Sequence, residues 1–460
     1  MKKFYLTFCL LYATVFSFSN DTLNVLNYSD FITQVMENHP YAKSASIVKS
    51  IGQSNVTMAR GGFDPKITGD LNQKYFDNQQ YYSHLNGALK IPTWFGVTAE
   101  TGYVLNEGTL LNPELKVPTN GLWYAGLKIE LGKGLLIDQR RAELKKAKNY
   151  RLSTTLERNI MLNKLKRDAS VAYWKWQQAY LELQVYRLAF ENSSQRLAAI
   201  KESVNFGDRA AIDTLEASIK VQNWNLSLLK VENYYNNAQL NLEMYLWSNG
   251  LIPLEINNAI PEKTAINETT FQESMLDSLI TNHPVLKINS IEAEQKRIDL
   301  RFKKEALKPK LTLKYNALSK PINNNPLASY AIENYNWGVQ FSYPILSRKE
   351  RGGVQMAKLK LKDQELKNEL KAAQLKYKVN SAMNNYSATL SQLTISKSLA
   401  SGSEKLYEAE KTLFGLGESS VFLINSRENS WLKSRIELIQ FKNECNSLRS
   451  ELIYQLMIND

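Results

Sequence analysis

The stretches ENHPYAKSASI (Glu37–Ile47) and TNHPVLKINSI (Thr281–Ile291) are near-copies of one another in a chain of 460 residues. Their Asn-His-Pro triplets begin at Asn38 and Asn282, an offset of 244. A repeat of this kind has to be followed outward before domains are counted. Each triplet opens a helical stretch, with Asn suited to a cap and Pro to the first turn. Each stretch ends in a Pro-Lys step, DPKITGDL at Asp64 and KPKLTLKY at Lys308, and the offset still holds there.

After each Pro-Lys step the hydrophobic period changes from helical to two. Ile67, Leu71 and Tyr75 alternate with Thr68, Asp70, Asn72 and Lys74; Leu311, Leu313 and Tyr315 alternate with Thr312, Lys314 and Asn316. The strand that closes each block is cleaner. Trp123, Ala125, Leu127, Ile129 and Leu131 share one face, as do Trp337, Val339, Phe341 and Tyr343. Two further segments, SHLNGALKI and FGVTAETGYVL, flank a turn between Pro92 and Gly96 in the first block only. Beyond them the offset falls to 210, with Ala147-Lys148 matching Ala357-Lys358. Six amphipathic, aromatic-rich strands read as membrane barrel strands. A half-buried sheet in water gives the same alternation. The aromatics near strand ends (Tyr81, Tyr82, Trp94, Trp123, Tyr124, Tyr335, Trp337) fit an interfacial girdle or a soluble core equally.

Ile137 to Ser203 then contains neither Pro nor Gly, and Val354 to Leu413 contains only Gly402. A helix of that length spans about 100 Å. A heptad runs along it through Ala169, Ala172, Trp176, Ala179, Leu183, Tyr186, Phe190, Ser193, Leu197, Ile200 and Val204. Leu375, Val379, Ala382, Tyr386, Thr389, Leu393, Ser396 and Ala400 keep the same step in the second half. Such a period means coiled-coil packing. Each long helix reaches a glycine turn, NFGDRAAIDTLEA from Asn205 and LFGLGESSVFLINSR from Leu413, and a second long helix follows. The repeated phrase thus opens a unit of helix, strands and long helical hairpin that occurs twice. The expected division is a signal peptide at 1–19, a first repeat at 20–250 (strands within 65–131, hairpin 137–249), a linker at 251–268 and a second repeat at 269–460 (strands within 310–344, hairpin 346–456).

The signal reading rests on Lys2 and Lys3, the apolar run Phe4–Phe16, and Ser17 and Ser19 before Asn20. That run is too short to span a bilayer as a helix. Removal of Cys9 leaves Cys445 alone, so the mature chain forms no internal disulfide. The net charge is +12, but Lys and Arg alternate with Glu along helices, as in KLKLKDQELKNELK, rather than forming the stripe that nucleic acid requires. The three His (39, 84, 283) and the scattered acids form no metal or catalytic constellation, and there is no phosphate loop or nucleophile elbow. The chain is therefore read as a non-enzyme without cofactor or metal, and its sequence names no cargo.

The paired Asn-His-Pro starts, FDPKIT and KPKLTL, the run GLKIELGKGLLIDQRRAELKKAK, and the tip pattern Gly207, Asp213, Leu215, Ala217 together resemble the TolC-type outer-membrane efflux family. The resemblance covers essentially the whole mature chain. It implies a mixed α and β membrane protein with an internal twofold repeat. Long coiled-coil hairpins would form a periplasmic barrel, and the strands would contribute to a β-barrel shared by a homotrimer in outer-membrane lipid. A periplasmic adaptor and an inner-membrane transporter would be the partners, in efflux or type I secretion. The resemblance further implies docking at the periplasmic tips, through Gly207, Asp208 and Asp213 of the first hairpin and Gly417, Glu418 and Ser419 of the second. Family gates place acids six and nine positions beyond the second glycine; here those positions hold Leu423 and Ser426. Ser419 stands where a basic partner is expected, and the nearest acids are Glu410 and Glu418. The reading of a different class is a periplasmic coiled-coil structural or adaptor protein with a soluble β domain.

Overall fold

The computed structural model describes residues 24–256, 259–263, 273–321, 325 and 329–458. The segment read as a signal peptide and part of the 251–268 linker lie outside them. The element order is β1 (Asn24–Leu26), α1 (Tyr28–Asn38), α2 (Pro40–Arg60), β2 (Lys66–Phe76), β3 (Gln79–Pro92), β4 (Val97–Glu107), β5 (Leu122–Gly132), α3 (Gln139–Asn205) and α4 (Ala211–Glu243). It continues with β6 (Ala259–Pro261), α5 (Glu273–Thr281), α6 (Pro284–Glu305), β7 (Lys310–Ser319), β8 (Tyr335–Ser342), α7 (Arg348–Gly415) and α8 (Val421–Leu456). Two compact units are woven from these elements. A tip unit takes residues up to Val35, Ala169–Ile266 and Ile395–Asn443; a sheet unit takes Met36–Asp168, Asn267–Thr394 and Glu444–Asp460. Each unit draws on both halves of the sequence.

The repeated phrase folds alike in both copies, but the cap is the histidine and not the asparagine. His39 and His283 have extended backbones, and Pro40 and Pro284 take the first helical position. The Tyr41 N–H donates to His39 Nδ1 at 3.1 Å, and the Val285 N–H donates to His283 Nδ1 at 3.2 Å. This satisfies an amide that the helix start leaves orphaned. Burial holds the His283 imidazole below its ordinary value of 6.5, against a backbone hydrogen bond with Gln455 that raises it. A protonated Nδ1 cannot accept the cap bond. The unfolded chain binds that proton more readily, so this stabilisation is present above pH 6.5 and lost as pH falls below it. His283→Asn keeps an acceptor at the cap. It is expected to remove about 1 kcal/mol of the stability lost on acidification, read from unfolding curves at successive pH values.

Six strands form one antiparallel sheet in the order β2-β3-β4-β5-β7-β8, so the second half of the sequence adds its two strands directly to the four of the first. The β2–β3 turn places Asp77 and Asn78 at φ 52° and 54°, the left-handed pair that a two-residue hairpin requires. The register keeps the faces coherent across the whole sheet. One row runs Ile91, Ala99, Leu127, Tyr315, Trp337, and another runs Val97, Ile129, Leu313, Val339. On the other face Lys90 pairs with Glu100, Glu100 with Gly126, and Gly126 with Asn316.

Exposure separates the two readings that alternation left open. A soluble half-buried sheet covers its apolar face. On the central strands Leu127 and Tyr315 are 50% and 48% exposed, whereas Thr312 and Asn316 on the polar face are 5% and 7% exposed; the edge strands β2 and β8 are exposed on both faces. Lys314 reaches the largely buried Glu100 at 3.2 Å across that polar face. The central strands thus expose their apolar face more than their polar one. Tyr124, grouped with the girdle aromatics in the sequence, lies on the polar face, where its hydroxyl donates to Asn86 Oδ1 at 3.3 Å. Trp94, Trp123, Tyr335 and Trp337 are exposed.

The long helices are unbroken, at 67 residues for α3 and 68 for α7. All eight heptad positions read along α7, from Leu375 to Ala400, are buried. Among the described residues no helix is long and apolar enough to cross a membrane. The helix α4 ends at Glu243, short of the expected 249, because Trp247 pairs with Pro253 around the positive-φ Gly250. Within the segment read as a linker, Ala259–Pro261 pairs in parallel with Asn24–Leu26. Cys445 is buried in α8.

Candidate functional site: the hairpin tips of the tip unit

Both tips close by the same hydrogen-bond pattern. Gly207 has φ 81°; its N–H donates to Val204 O at 3.0 Å, and the Asp208 N–H donates to Ser203 O at 2.9 Å. Gly417 has φ 80°; its N–H donates to Phe414 O at 3.2 Å, and the Glu418 N–H donates to Leu413 O at 3.0 Å. These are paired Schellman caps, in which the left-handed glycine lets the last carbonyls find donors. A side chain at either glycine would meet open space, so only backbone conformation demands glycine there.

The implied docking residues behave differently from one another. Asp208 and Glu418 are exposed on their turns. Asp213 lies in the first turn of α4, where the helix dipole favours a carboxylate. Its Oδ2 is 3.8 Å from Arg209, and the Arg209 guanidinium lies 4.7 Å over the Phe414 ring of the second hairpin. Asp213 therefore helps tie the two hairpins together through Arg209. The Ser419 hydroxyl donates to Glu410, which also lies 3.8 Å from Arg427, so Ser419 and Glu410 belong to a cluster inside the second hairpin. Leu423 and Ser426 are exposed on α8. Around the turns stand exposed apolar side chains: Phe206, Ile212 and Leu215 on the first hairpin, Leu416 and Phe422 on the second.

Behind the tips lies an ionic cluster that sequence reading did not single out. Arg196 of α3 meets Glu428 of α8 in a bidentate pair, at 2.8 Å and 3.0 Å. Glu428 is 0% exposed and the Arg196 side chain 11%. Arg196 also donates to Asn425 Oδ1 at 2.8 Å, and the Tyr407 hydroxyl donates to Glu428 at 3.3 Å. Burial, more than the Glu428 charge beside it, pushes the Tyr407 phenol up to about 12. Tyr407 stacks on Trp431, with ring centroids 4.8 Å apart. Burial also holds Lys220 below its ordinary value; it donates to Asn429 and lies 4.5 Å over the Trp224 ring. The cluster thus ties α3, α4, α7 and α8 together by groups that only tertiary packing brings near. Among the described residues no three His, Cys, Asp or Glu side chains gather as a metal site.

No protein-family model matches this sequence, and no curated protein matches it. Solved structures do. The Campylobacter jejuni CmeC outer membrane channel is 14% identical over 93% of this chain and 85% of its own, with a TM-score of 0.66. The outer-membrane channel OprN is 12% identical over 93% and 89%, with a TM-score of 0.69. The open state of the Neisseria gonorrhoeae MtrE outer membrane channel is 12% identical over 94% and 88%, with a TM-score of 0.68. The chain has the fold of these outer-membrane channels. The TolC-type architecture expected from the repeated phrase, the strands and the long hairpins is thereby met at the level of the fold.

Proposed function

We propose that this chain is one subunit of a homotrimeric outer-membrane channel that extends into the periplasm. It passively conducts substrates delivered by an inner-membrane transporter through a periplasmic adaptor. One observation carries the reading: a six-stranded sheet whose apolar face is exposed, while the polar face is the less exposed one along the central strands. Lipid is the solvent in which that arrangement is stable, provided that no strand edge is left open. The sheet of one chain has two edges, β2 and β8. With an even number of antiparallel strands, β8 of one copy meets β2 of the next in antiparallel sense, so repetition about one axis closes a barrel.

The helices support the same assembly. On α4, Ile212, Leu215, Ile219, Leu226, Leu229 and Leu240 fall on one heptad stripe and are exposed. On α7, Leu359, Leu366, Leu370 and Tyr377 are exposed in the same manner. Such stripes are coiled-coil seams awaiting partners. We assign adaptor docking to the turns at Gly207, Asp208 and Asp213 and at Gly417, Glu418 and Ser419, with the exposed apolar side chains beside them. The sequence duplication, with repeats at 20–250 and 269–460, accounts for two tips of the same geometry. The adaptor reading needs a soluble β domain with its apolar face covered, and the exposed face of this sheet disfavours it.

Negative-stain electron microscopy of the detergent-extracted protein tests the assembly. Threefold particles with a tube well over about 100 Å long and a detergent belt at one end are expected. Compact monomers or dimers without a belt would overturn the reading. The docking assignment has its own test. Gly207→Val or Gly417→Val forces a β-branched residue into a left-handed turn, costing roughly 1–2 kcal/mol locally. Export should fall while the trimer still assembles. Loss of the trimer would mean that the glycines serve the fold and not docking.

A further inference from the structure

Where the β3–β4 turn (residues 93–96) meets the connection from β5 to α3 (residues 133–138), the sheet unit holds a cleft of about 640 Å3. Trp94, Phe95, Leu136 and Leu144 make its apolar wall, and Arg141, Lys145 and Lys148 supply its charge. Trp94 is 74% exposed and Leu136 69%, so the wall presents apolar surface beyond the strand ends. We infer that this cleft binds a phospholipid with an anionic headgroup, its acyl chain against Trp94 and Leu136 and its phosphate at Lys145 and Lys148. The inference rests on the membrane reading above and adds to it a defined lipid site.

The cleft is built rather than incidental. Asp138 accepts from the Arg141 N–H at 2.9 Å and from Arg141 Nε at 3.1 Å. The same guanidinium donates to Leu135 O at 2.9 Å and to Gly134 O, which fixes the loop and turns Leu136 outward. Gly96, at φ 93°, packs against Arg141 from the other side, 3.4 Å from where a side chain would begin. Burial raises the Asp138 carboxyl, but the Arg141 and Arg140 contacts outweigh it and hold the group below the usual carboxylate range. Asp138 therefore stays ionised and the clamp stays closed.

With Arg141 occupied by the loop, Lys145 and Lys148 are the available cations. Lys146 between them is taken by Asp299 at 2.8 Å. Among the described residues neither Lys145 nor Lys148 has a carboxylate within 4.0 Å. They follow Arg141 along one face of α3, about 6 Å and 10 Å further from the sheet. That spacing suits ammonium groups reaching phosphate while their stems lie on apolar surface. The second half repeats the pattern after β8: exposed Ile345 and Leu346 precede Arg348, Lys349 and Arg351.

The test uses the full-length oligomer in bilayers of phosphatidylethanolamine with a minor fraction of phosphatidylglycerol, bromine being carried on the chains of one lipid or the other. Quenching of Trp94 is obtained by difference from Trp94→Phe. A lysine at an anionic surface contributes about fivefold, so a preference for phosphatidylglycerol on the order of 25-fold is expected from the pair. It should fall to near one in the Lys145→Gln/Lys148→Gln double variant, whose exposed exchanges leave the circular dichroism unchanged. Equal quenching by both lipids in the wild type, or a preference that survives the double variant, would overturn the lipid site. In that case, quenching of Trp123 and Trp337 by both lipids would leave the membrane reading standing. No quenching of any tryptophan would overturn both.

Discussion

Glu428→Ala is expected to lower the stability of the tip unit by about 3–5 kcal/mol. The carboxylate is fully buried and receives both arms of the Arg196 guanidinium. Its removal leaves that guanidinium enclosed with Asn425 and Tyr407 but no carboxylate, and leaves the Tyr407 hydroxyl without the bond it made to Glu428. The cost comes chiefly from the stranded charge, not from the net worth of the pair. A second exchange therefore separates the two causes. In Arg196→Met/Glu428→Leu both charges are gone and apolar volume replaces them, so most of the loss should be recovered. Denaturant unfolding of both variants reads this out. A loss below about 1 kcal/mol for Glu428→Ala would mean that water reaches the pair.

The second large effect lies on the sheet. Leu127 and Lys128 are neighbours in β5 that face opposite sides. Leu127 is exposed among apolar side chains, and Lys128 shares the polar face with Lys314. On the membrane reading proposed above, Leu127→Arg should cost about 2–4 kcal/mol in the membrane-inserted state, the cost of a cation near the middle of a bilayer. Lys128→Gln should change stability by no more than about 0.5 kcal/mol. Quantifying the trimer recovered in the membrane fraction compares the two. Equal recovery would mean that the apolar face does not meet lipid. A soluble sheet packed on its apolar face would also lose stability with Leu127→Arg, but no trimer would appear in the membrane fraction for either protein.

Much of the local structure was legible in consecutive residues. The heptad from Leu375 to Ala400 named eight positions, and all eight are buried, because a sustained 3.5-residue period can satisfy only one packed face. The six alternating segments became six strands of one sheet. The glycines at 207 and 417 announced left-handed turns, since few other residues occupy that region cheaply. The Asn-His-Pro phrase marked two helix starts, yet the cap went to histidine. An imidazole Nδ1 two residues before the amide reaches it as well as an amide oxygen would, and propensity tables favour asparagine.

What the sequence determined by itself is what lies within a few residues of each position: helix, strand, turn, the duplication, and the existence of two unlike faces on the sheet. Which face is outward was not among these, because alternation has the same period in lipid and in water. Only the exposure of the folded sheet, with Leu127 half exposed and Asn316 enclosed on the central strands, bears on it. The Arg196 and Glu428 pair was equally hidden. Its members stand 232 positions apart on helices rich in ordinary surface charge, and nothing local distinguishes a carboxylate bound for the interior from a solvated one. Burial and long-range pairing are properties of the assembled helices, and tertiary structure alone supplies them.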